Sequence, residues 1–589
     1  MPVLFAFICL RYSLPLRKLC ADRWATRQFL SAWLTDVMHA SESELPGADT
    51  PPDAMAAQAS LLVLRSVLQA VRVPVFVPGQ VLQVQRVPAG AGPATAQGMT
   101  VHVHARVPRV DHVHSEVYRG ALAFTALWMP RLMQEPPSQS ALAQWIAALE
   151  QEIVRPLQPL VPGGQSSFQL MRAAHAMNIP FMHLGGGVYQ LGWGRAMQRL
   201  DRSSGRADSA MGARLAQDKA LTAQVLGASG LPVPQHVLVR TPEQAQAAAV
   251  QLGWPVVVKP ADRERGEGVQ LDVRHPDALA RAFDVARQFS KTGRLLVEQQ
   301  VPGICHRLLV AHGQLLYAVK RWPRSVWGDG QRSVQALLEA LQAPQARWPL
   351  WQREPDVPID DALHAALAQQ GLTLQSVAPP GQRVLVRPLE STQWGGSDED
   401  VTKRVHPDNR ELALRATRLL GLSVAGVDLM CHDISQPWHR SGAVLNEVNH
   451  APLLGGAPIS RGYLPAYLRG LMGGSDGRIP VEVFEGVALA DLVAQRMQAL
   501  ARQGLHVWVT TATQTWQARP DQPSPAPVPL QVRGLSDRTR ALLMEPLLDH
   551  LLLWVTDPAE LHSGLPVDRI TRWHRAPGAA TPTTPPPPH

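Results

Sequence analysis

The sequence has few cysteines, and they stand far apart. Its 589 residues contain four, Cys9, Cys20, Cys305 and Cys431. They show none of the spacing that a structural zinc site needs, and four scattered cysteines do not form a disulfide framework. The composition therefore predicts thiols in a reducing compartment, which we expect to be the cytoplasm.

Long apolar runs and blocks of basic residues are also missing. The opening stretch MPVLFAFICLRYS is too short to span a bilayer, has no basic residue before it and no small-residue cleavage site after it. We expect it to be a buried strand. Lys and Arg number 56 against 48 Asp and Glu, a formal charge of +8 without a clustered tract. This balance suits anionic ligands such as nucleotides and argues against nucleic-acid and membrane partners.

What is present is typical of a folded protein with several domains. Hydrophobic residues make up 45% of the chain and charged residues 18%, which fits a globular rather than a disordered protein. A chain of this length exceeds one ordinary core, so about three or four domains are expected.

Two features of the first 210 residues raise ligand questions. The segment LGGGVYQLGWG is rich in glycine but lacks the G-x-G-x-x-G spacing of a dinucleotide site. Paired strands predicted around residues 75–118 carry two His-Val-His pairs, which contain His102, His104, His112 and His114. They fit either a metal site or the polar outer face of a hairpin, and the second interpretation is favoured because no acid or cysteine joins them at a clear ligand spacing.

From about residue 213 the pattern alternates between strands and helices. It predicts strand, helix, strand, polar loop, strand, helix and strand up to about residue 300, then an antiparallel meander, an irregular insertion, a helix and two further strands. The overall expectation is a multidomain protein of mixed α/β and α+β class.

The last of these strands contains LNEVNHAPL, which places Glu447 and Asn449 two residues apart. Residues i and i+2 of a strand face the same side. The two side chains are either solvated groups on an edge strand or oxygen ligands of a cation, for which Mg²⁺ is the best match.

Further residues make a nucleotide–magnesium site the better interpretation. Lys219 and Lys259 provide point charges for phosphate oxygens, and the loop with Gly266 and Gly268 provides backbone amides to cover a phosphate chain. Glu298, at a strand end, can pair with the amino edge of adenine. Asp428 joins Glu447 and Asn449 as a hard oxygen ligand.

Residues 211–473 resemble the ATP-grasp domain, and within that superfamily the cyanophycin synthetase family. The resemblance is carried by DKALTAQVLGASGLPVP, GWPVVVKPADRERGEGV, LLVEQQVPGICHRLLV, GDGQRSVQALLE, WGGSDEDVTKRVHPDN and GLSVAGVDLMCHDIS with LNEVNHAPL. Upstream, RAAHAMNIPFMHLGGGVYQLGWG resembles the end of that family's N-terminal domain, here residues 1–210.

The resemblance implies a ligase with ATP and Mg²⁺ as cofactors. A substrate carboxylate would be phosphorylated by ATP, and an amine would then displace phosphate to form an amide, with substrates of the aspartate and arginine type. Metal binding would fall to Asp428, Glu447 and Asn449, and nucleotide binding to Lys219, Lys259, Glu298 and the glycine loop. Arg307 and Arg387 would contact the substrate carboxylate or the acyl phosphate. The family also implies a homo-oligomer.

Three positions depart from the family pattern. Cys305 stands where the family has an acid for the ribose, Glu267 replaces a basic residue of the phosphate loop unless Arg263 or Arg265 compensates, and Trp394 lies in the substrate-facing segment STQWGG. These departures leave a second hypothesis open: a catalytically impaired paralogue that serves as a binding or regulatory subunit of a full-length synthetase.

Residues 477–577 resemble the beginning of a Mur-ligase-like domain. Where its phosphate-binding loop should lie, the chain reads FEGVALADLV, with one glycine, no lysine and no hydroxyl residue. Glu485 and Asp491 would also repel a triphosphate. We expect a truncated, degenerate remnant without a nucleotide, followed by a disordered proline-rich tail at 578–589.

Overall fold

The structure of the protein is a computed structural model, which describes residues 6–17, 23–88, 98–263, 266–344, 356–387, 396–561 and 564–575. The chain forms two compact units. One contains Met1–Arg202 together with Leu468–His589, and the other is Ser203–Tyr467. No helix in the described ranges is long and apolar enough to cross a membrane.

The N-terminal part of the first unit contains two small antiparallel sheets, and its long helix α2 is largely buried. Strand β3 pairs with both β1 and β2, and β5 pairs with both β4 and β6. The strands are Ala6–Arg17 (β1), Gln80–Pro88 (β2), Gly98–Arg109 (β3), Phe181–Gly185 (β4), Val188–Leu191 (β5) and Gln198–Asp201 (β6). The helices are Arg23–Ala32 (α1), Pro52–Ala70 (α2), Ser115–Leu132 (α3), Gln139–Ala148 (α4), Arg155–Leu157 (α5) and Gln165–Ala176 (α6).

The predicted opening strand is confirmed as β1, which pairs with β3 along its whole length. The two His-Val-His pairs belong to different elements. His102 and His104 point away from the buried Val101, Val103 and Ala105 of β3, as a polar outer face requires.

The prediction that a strand continues through the second pair is wrong. His112 adopts a positive φ in a turn, and the ring of His114 accepts a hydrogen bond from the N–H of Glu116 at the start of α3. The local helix cap therefore overrides the alternating pattern. Among the described residues, no group of three or more His, Cys, Asp or Glu is placed to hold a metal ion by itself.

The second unit is built on two main sheets. Its strands are Ser204–Gly205 (β7), His236–Val239 (β8), Val256–Pro260 (β9), Gln270–Val273 (β10), Leu295–Gln299 (β11), Ile304–Ala311 (β12), Gln314–Trp322 (β13), Ser325–Trp327 (β14), Arg383–Leu385 (β15), Ser397–Asp400 (β16), Val424–Cys431 (β17) and Val444–His450 (β18). Its helices are Ala210–Gln217 (α7), Lys219–Ala228 (α8), Pro242–Leu252 (α9), Pro276–Phe289 (α10), Val334–Gln342 (α11), Asp361–Ala368 (α12), Pro407–Leu420 (α13), Trp438–Ser441 (α14) and Pro458–Leu471 (α15), in which the unit boundary falls.

The predicted order of strands and helices between residues 236 and 299 is confirmed. These four strands form an antiparallel sheet in the order β10-β9-β11-β8, and α9 and α10 bury one of its faces with Ala248, Phe283 and their neighbours. The second sheet has the order β16-β13-β12-β17-β18. Helix α13 packs its apolar side, including Leu412 and Ala416, against that sheet.

Residues 481–575 form a six-stranded sheet in the order β22-β21-β20-β23-β19-β24, in which β20, β23, β19 and β24 are parallel. Its strands are Val481–Glu485 (β19), Val507–Thr510 (β20), Thr515–Ala518 (β21), Ala526–Pro527 (β22), His550–Val555 (β23) and Arg572–Arg575 (β24), and its helices are Ala490–Arg502 (α16) and Leu535–Leu543 (α17). The two helices cover opposite faces with separate apolar clusters.

A buried carboxylate lies within this sheet. Glu482 is 2% exposed and pairs with Arg496 of α16 at 2.6 Å. The Nε2 atoms of His550 and His574, on the two neighbouring strands, each lie 3.0 Å from its carboxylate oxygens. Burial raises the pKa of Glu482, but Arg496 and His574 outweigh burial and the net pKa is lowered. Through these ion pairs and hydrogen bonds, Glu482 connects its own strand β19 to β23, β24 and α16.

Candidate nucleotide and metal site

Strands β12, β17 and β18 bring the three predicted metal ligands and one predicted arginine to one face of the second sheet. Arg307 is the register partner of Asp428, which is in turn the partner of Glu447, and Gly426 is the partner of Asn449. Cross-strand partners face the same side of a sheet. The side chains of Arg307, Asp428, Glu447 and Asn449 are therefore neighbours. Strand β18 is at the edge of the sheet, which also agrees with the other interpretation, that Glu447 and Asn449 are solvated groups on an edge strand.

The carboxylates of this face are already paired with cations. Arg307 donates two hydrogen bonds to Asp428, from Nε at 2.7 Å and from Nη2 at 2.6 Å. Lys219, the first residue of α8, pairs with Glu447. The amide of Asn449 donates to Asp428 at 3.4 Å. These contacts form two groups, and the pairing of Asp428 with Glu447 across β17 and β18 places the two groups side by side in one cluster.

The charges of the cluster act on one another. Burial raises the pKa of Asp428, but Arg307, Arg321 and Lys219 together lower it below its usual value. Burial lowers the pKa of Arg307, and the neighbouring Asp428 raises it further than that. Asp428 is only 4% exposed. Both residues are therefore charged near neutral pH, and an unpaired charge at this depth would be costly.

Lys259 and Glu298 form a second pair on the first sheet. Lys259 lies on β9 and Glu298 on β11, and the ammonium and carboxylate groups are 2.8 Å apart. Both residues are buried. Arg294, just before β11, also contacts Asp218 at 3.5 Å. Because Asp218 directly precedes Lys219, this contact connects the start of β11 to the start of α8.

The predicted phosphate loop connects β9 and β10. Gly266 and Gly268 have φ angles of 77° and 72°, a region that disfavours residues with a side chain. A Cβ atom on Gly268 would lie 2.9 Å from the Cβ of Phe289, so the loop passes closely over the end of α10.

The departures from the family pattern have different structural outcomes. Arg263 lies 3.6 Å from Glu267 and offsets part of its charge, as the sequence suggested, whereas Arg265 lies outside the described residues. Cys305 is buried two residues before Arg307 on the same face of β12. Trp394 also lies outside the described residues.

Arg387 does not join the cluster in this structure. It is buried next to the short β14–β15 pair, where its guanidinium contacts Asp360 at 2.6 and 3.0 Å and the carbonyl of Pro358 at 2.8 Å. Asp360 also accepts a hydrogen bond from the N–H of Leu363 and so caps α12. The catalytic role assigned to Arg387 stays a prediction.

Sequence reasoning missed Arg321. It lies on β13 two residues beyond Val319, the register partner of Arg307, and therefore faces the same side. Its charge contributes to the lowered pKa of Asp428. The sequence predicted an antiparallel meander over these two strands, but not the register that brings Arg321 to the same side as Arg307.

The donor set of the cluster fits Mg²⁺. Asp428, Glu447 and Asn449 offer only oxygen ligands of the kind that Mg²⁺ prefers, and Mg²⁺ commonly takes one or two protein carboxylates together with substrate phosphates and water. A site of this kind needs no complete protein cage. Arg307 and Lys219 balance the same carboxylates here, so a bound cation would replace them as the counter-charge.

The turn after β19, which the sequence analysis compared with a phosphate-binding loop, has two of its polar groups engaged by its own domain. The carboxylate of Glu485 accepts hydrogen bonds from the indole of Trp573 at 2.9 Å and from Arg575 at 3.1 Å. The carbonyl of Gly486 accepts one from the indole of Trp554 at 3.1 Å. These contacts use the only glycine of the stretch and its neighbouring acid for packing.

Comparison with known proteins agrees with this geometry. Residues 210–300 match the family model described as an ATP-grasp domain. The chain therefore carries an ATP-grasp domain, and it is similar to cyanophycin synthetases. Over 292 residues, or 49% of this chain, it is 32% identical to the cyanophycin synthetase of Nostoc sp., covering 32% of that protein. Over 309 residues, or 52%, it is 31% identical to the enzyme of Crocosphaera subtropica, covering 35%.

Two further proteins show weaker similarity to the chain. A glutathione biosynthesis bifunctional protein of Mannheimia succiniciproducens is 30% identical over 239 residues, covering 39% of this chain and 31% of that protein. A solved bifunctional glutathione synthetase from Pasteurella multocida covers 77% of this chain and 78% of its own, with a TM-score of 0.40 and 17% identity. The matches span about one third of the length of these curated relatives.

Proposed function

We propose that the protein is an ATP-dependent carboxylate–amine ligase that acts on cyanophycin-type substrates. The observation that carries the proposal is the cluster on β12, β17 and β18, in which Arg307, Asp428, Glu447 and Asn449 face one side and Lys219 reaches them. The similarity to cyanophycin synthetases supports the substrate class.

In the proposed reaction, an oxygen of the substrate carboxylate attacks the γ-phosphorus of ATP, and ADP leaves. The substrate amine then attacks the acyl carbon, loses a proton, and displaces inorganic phosphate to form the amide. Phosphoryl transfer of this kind depends on positioning and on neutralising the charge of the phosphates.

The residues divide this work according to their charge. Lys219, Lys259 and Arg307 exchange their present carboxylate partners for phosphate or acyl-phosphate oxygens, for which the planar fork of arginine is suited. Glu298 faces the adenine edge, and the loop with Gly266 and Gly268 covers the phosphates. Asp428, Glu447 and Asn449 would hold Mg²⁺, which when bound neutralises the charge on phosphate oxygens.

The direct test combines ATP, Mg²⁺ and a short cyanophycin primer with either aspartate plus arginine or β-aspartyl-arginine. We expect phosphate release coupled to chain growth with at least one substrate pair. Glu447→Gln should abolish both, whereas Glu411→Gln, on the outer side of α13 where Glu411 pairs with Arg418, should not. Folded protein without turnover on any pair would reject the ligase.

The C-terminal domain serves packing rather than catalysis in this proposal. The contacts of Glu485 and Gly486 support this reading, since they occupy the turn where triphosphate would bind. The protein then has one ATP site and joins preformed β-aspartyl-arginine or adds only backbone aspartate. Two bound ATP molecules per chain, or incorporation of free arginine into a polyaspartate primer, would contradict this.

The alternative is a catalytically impaired paralogue acting as a binding or regulatory subunit. The specific observation that favours it is the buried Cys305 on the site face, because a thiol is a poor hydrogen-bond partner for ribose. Calorimetric titration with ATP and Mg²⁺ separates the two, since a subunit of this type would show no binding. We also propose that the protein is a cytoplasmic homo-oligomer. Light scattering, which measures the mass of the particle in solution, tests the oligomeric state.

A further inference from the structure

A short segment before helix α7 touches the ends of both strands that carry the metal-ligand candidates. This segment, residues 203–208 and called the clasp below, contains Ser203, Ser204 and Asp208. Strands β17 and β18 are antiparallel, with Ala425 opposite His450. The beginning of β17 and the end of β18 therefore meet at one end of the sheet, where the clasp lies.

The carboxylate of Asp208 accepts four hydrogen bonds. Its Oδ1 atom accepts from the backbone N–H groups of Ser423 at 2.7 Å and Val424 at 3.0 Å, where β17 begins. Its Oδ2 atom accepts from the hydroxyl of Ser204 and the N–H of Gly205, both at 2.9 Å. One carboxylate thus joins the clasp to the strand that carries Asp428.

The two serines join the clasp to the end of β18. Ser204 Oγ lies 3.1 Å from Nε2 of His450, the last residue of the strand. The buried Ser203 donates to the carbonyl of Pro452 at 2.6 Å, and its own carbonyl accepts from Tyr467 at 3.0 Å. Ala451, between His450 and Pro452, has a φ of 47°, a conformation that an alanine adopts only when its surroundings hold it there.

A simpler role for Asp208 would be to cap helix α7, but the next residue does this. The hydroxyl of Ser209 accepts from the N–H of Gly212 and is the cap of that helix. All four contacts of Asp208 go instead to β17 and to the clasp itself. Its placement is therefore explained by the strand ends rather than by the helix.

We propose that Asp208 is a positioning residue for the metal site, which fixes Asn449 and the β17–β18 pair through the clasp. Asn449 lies directly beside His450 and opposite Gly426, two residues from the N–H of Val424. A clasp that holds both strand ends limits how far Asn449 can move from Asp428 and Glu447. The inference rests on the proposed function, because it assigns these three residues to Mg²⁺.

The test measures the Mg²⁺ dependence of binding rather than turnover alone. Binding of a non-hydrolysable ATP analogue is followed by calorimetry at increasing Mg²⁺ in the wild type and in Asp208→Asn, which places an amide NH₂ against backbone donors. Loss of an outer support of a metal site weakens metal affinity by about 10–100-fold. We expect the half-saturating Mg²⁺ concentration to rise by about that factor.

Two further variants keep the test decisive. Asp549→Asn is the matched control, because Asp549 accepts from the N–H of His506 at 2.9 Å in the first unit; its Mg²⁺ dependence should equal that of the wild type. If Asp208→Asn does not fold, Ser204→Ala removes only one link and should shift the Mg²⁺ dependence in the same direction by a smaller factor.

The outcomes separate this inference from the proposed function. A wild type that binds no analogue at any Mg²⁺ concentration overturns the proposed function. A wild type that binds, together with a folded Asp208→Asn or Ser204→Ala of unchanged Mg²⁺ dependence, overturns the positioning role alone.

Discussion

Binding of ATP should depend strongly on a divalent cation, because the cations of the site already have partners. Lys219 is paired with Glu447 and Arg307 with Asp428. If ATP binds without Mg²⁺, these cations must turn to the phosphates, and two carboxylates then face a polyanion. Bound Mg²⁺ would supply the counter-charge for these carboxylates.

The size of this effect follows from burial and distance. Two like charges about 5 Å apart at an effective dielectric constant of about 20 repel by about 3 kcal/mol. Asp428 is only 5% exposed in its side chain, but Glu447 is 25% exposed, and the lysine and arginine stay close to both. Halving the sum of the two repulsions for this screening leaves about 3 kcal/mol, or roughly a hundredfold in affinity.

Calorimetry of a non-hydrolysable ATP analogue in Mg²⁺ and in EDTA measures this effect. Asp428→Asn removes the more deeply buried carboxylate, so the ratio between the two conditions should shrink by about tenfold in that variant, while Glu411→Gln should keep the wild-type ratio. Equal affinities in Mg²⁺ and EDTA, or an undiminished ratio in Asp428→Asn, would refute the reasoning.

Three further predictions concern loop geometry, the small β14–β15 region and acid stability. Gly268→Ala should weaken analogue binding by about tenfold and destabilise the observed loop conformation by about 1–3 kcal/mol, because the φ of Gly268 is 72° and the new methyl group would meet Phe289. Unchanged binding in calorimetry would contradict this. Asp360→Asn removes the ion pair with Arg387 and should destabilise the surrounding fold by about 1 kcal/mol, a small value because the side chain of Asp360 is 42% exposed. Amide hydrogen exchange should become faster in α12 than in the rest of the chain, and an equal change throughout the chain would contradict this. The first unit should lose stability as the pH falls from about 6.5 to below 4.5, because the folded pKa values of His550 and Glu482 both lie below these ordinary values and protonation therefore favours unfolding; denaturant titrations should show this slope in the wild type, and in Glu482→Gln the part of the slope that lies below about pH 4.5 should be smaller.

The sequence was sufficient for the local features of the site. The i, i+2 spacing of Glu447 and Asn449 predicted a shared face, and the strand and helix order of residues 236–299 followed from hydrophobic periodicity. Both depend on contacts within a few residues.

The partners of these residues could not be predicted in the same way. Arg307 and Asp428 are 121 positions apart, and their pairing depends on the register of β12 and β17. The turn at His112 and the cap at His114 were missed because a cap of one residue interrupts an otherwise continuous alternation. In the sequence, Glu482 resembles an exposed residue of a strand. Its burial follows only from the packing of β23, β24 and α16 around it.

Labelling the attacking carboxylate tests the central claim most directly. A cyanophycin primer whose terminal carboxylate is labelled with a heavy oxygen isotope is incubated with ATP, Mg²⁺ and the amine substrate. The inorganic phosphate that is released is then analysed by mass spectrometry. Passage through an acyl phosphate predicts that one labelled oxygen per bond formed appears in the phosphate. Chain growth with unlabelled phosphate, or phosphate release without chain growth, would contradict the proposed ligase.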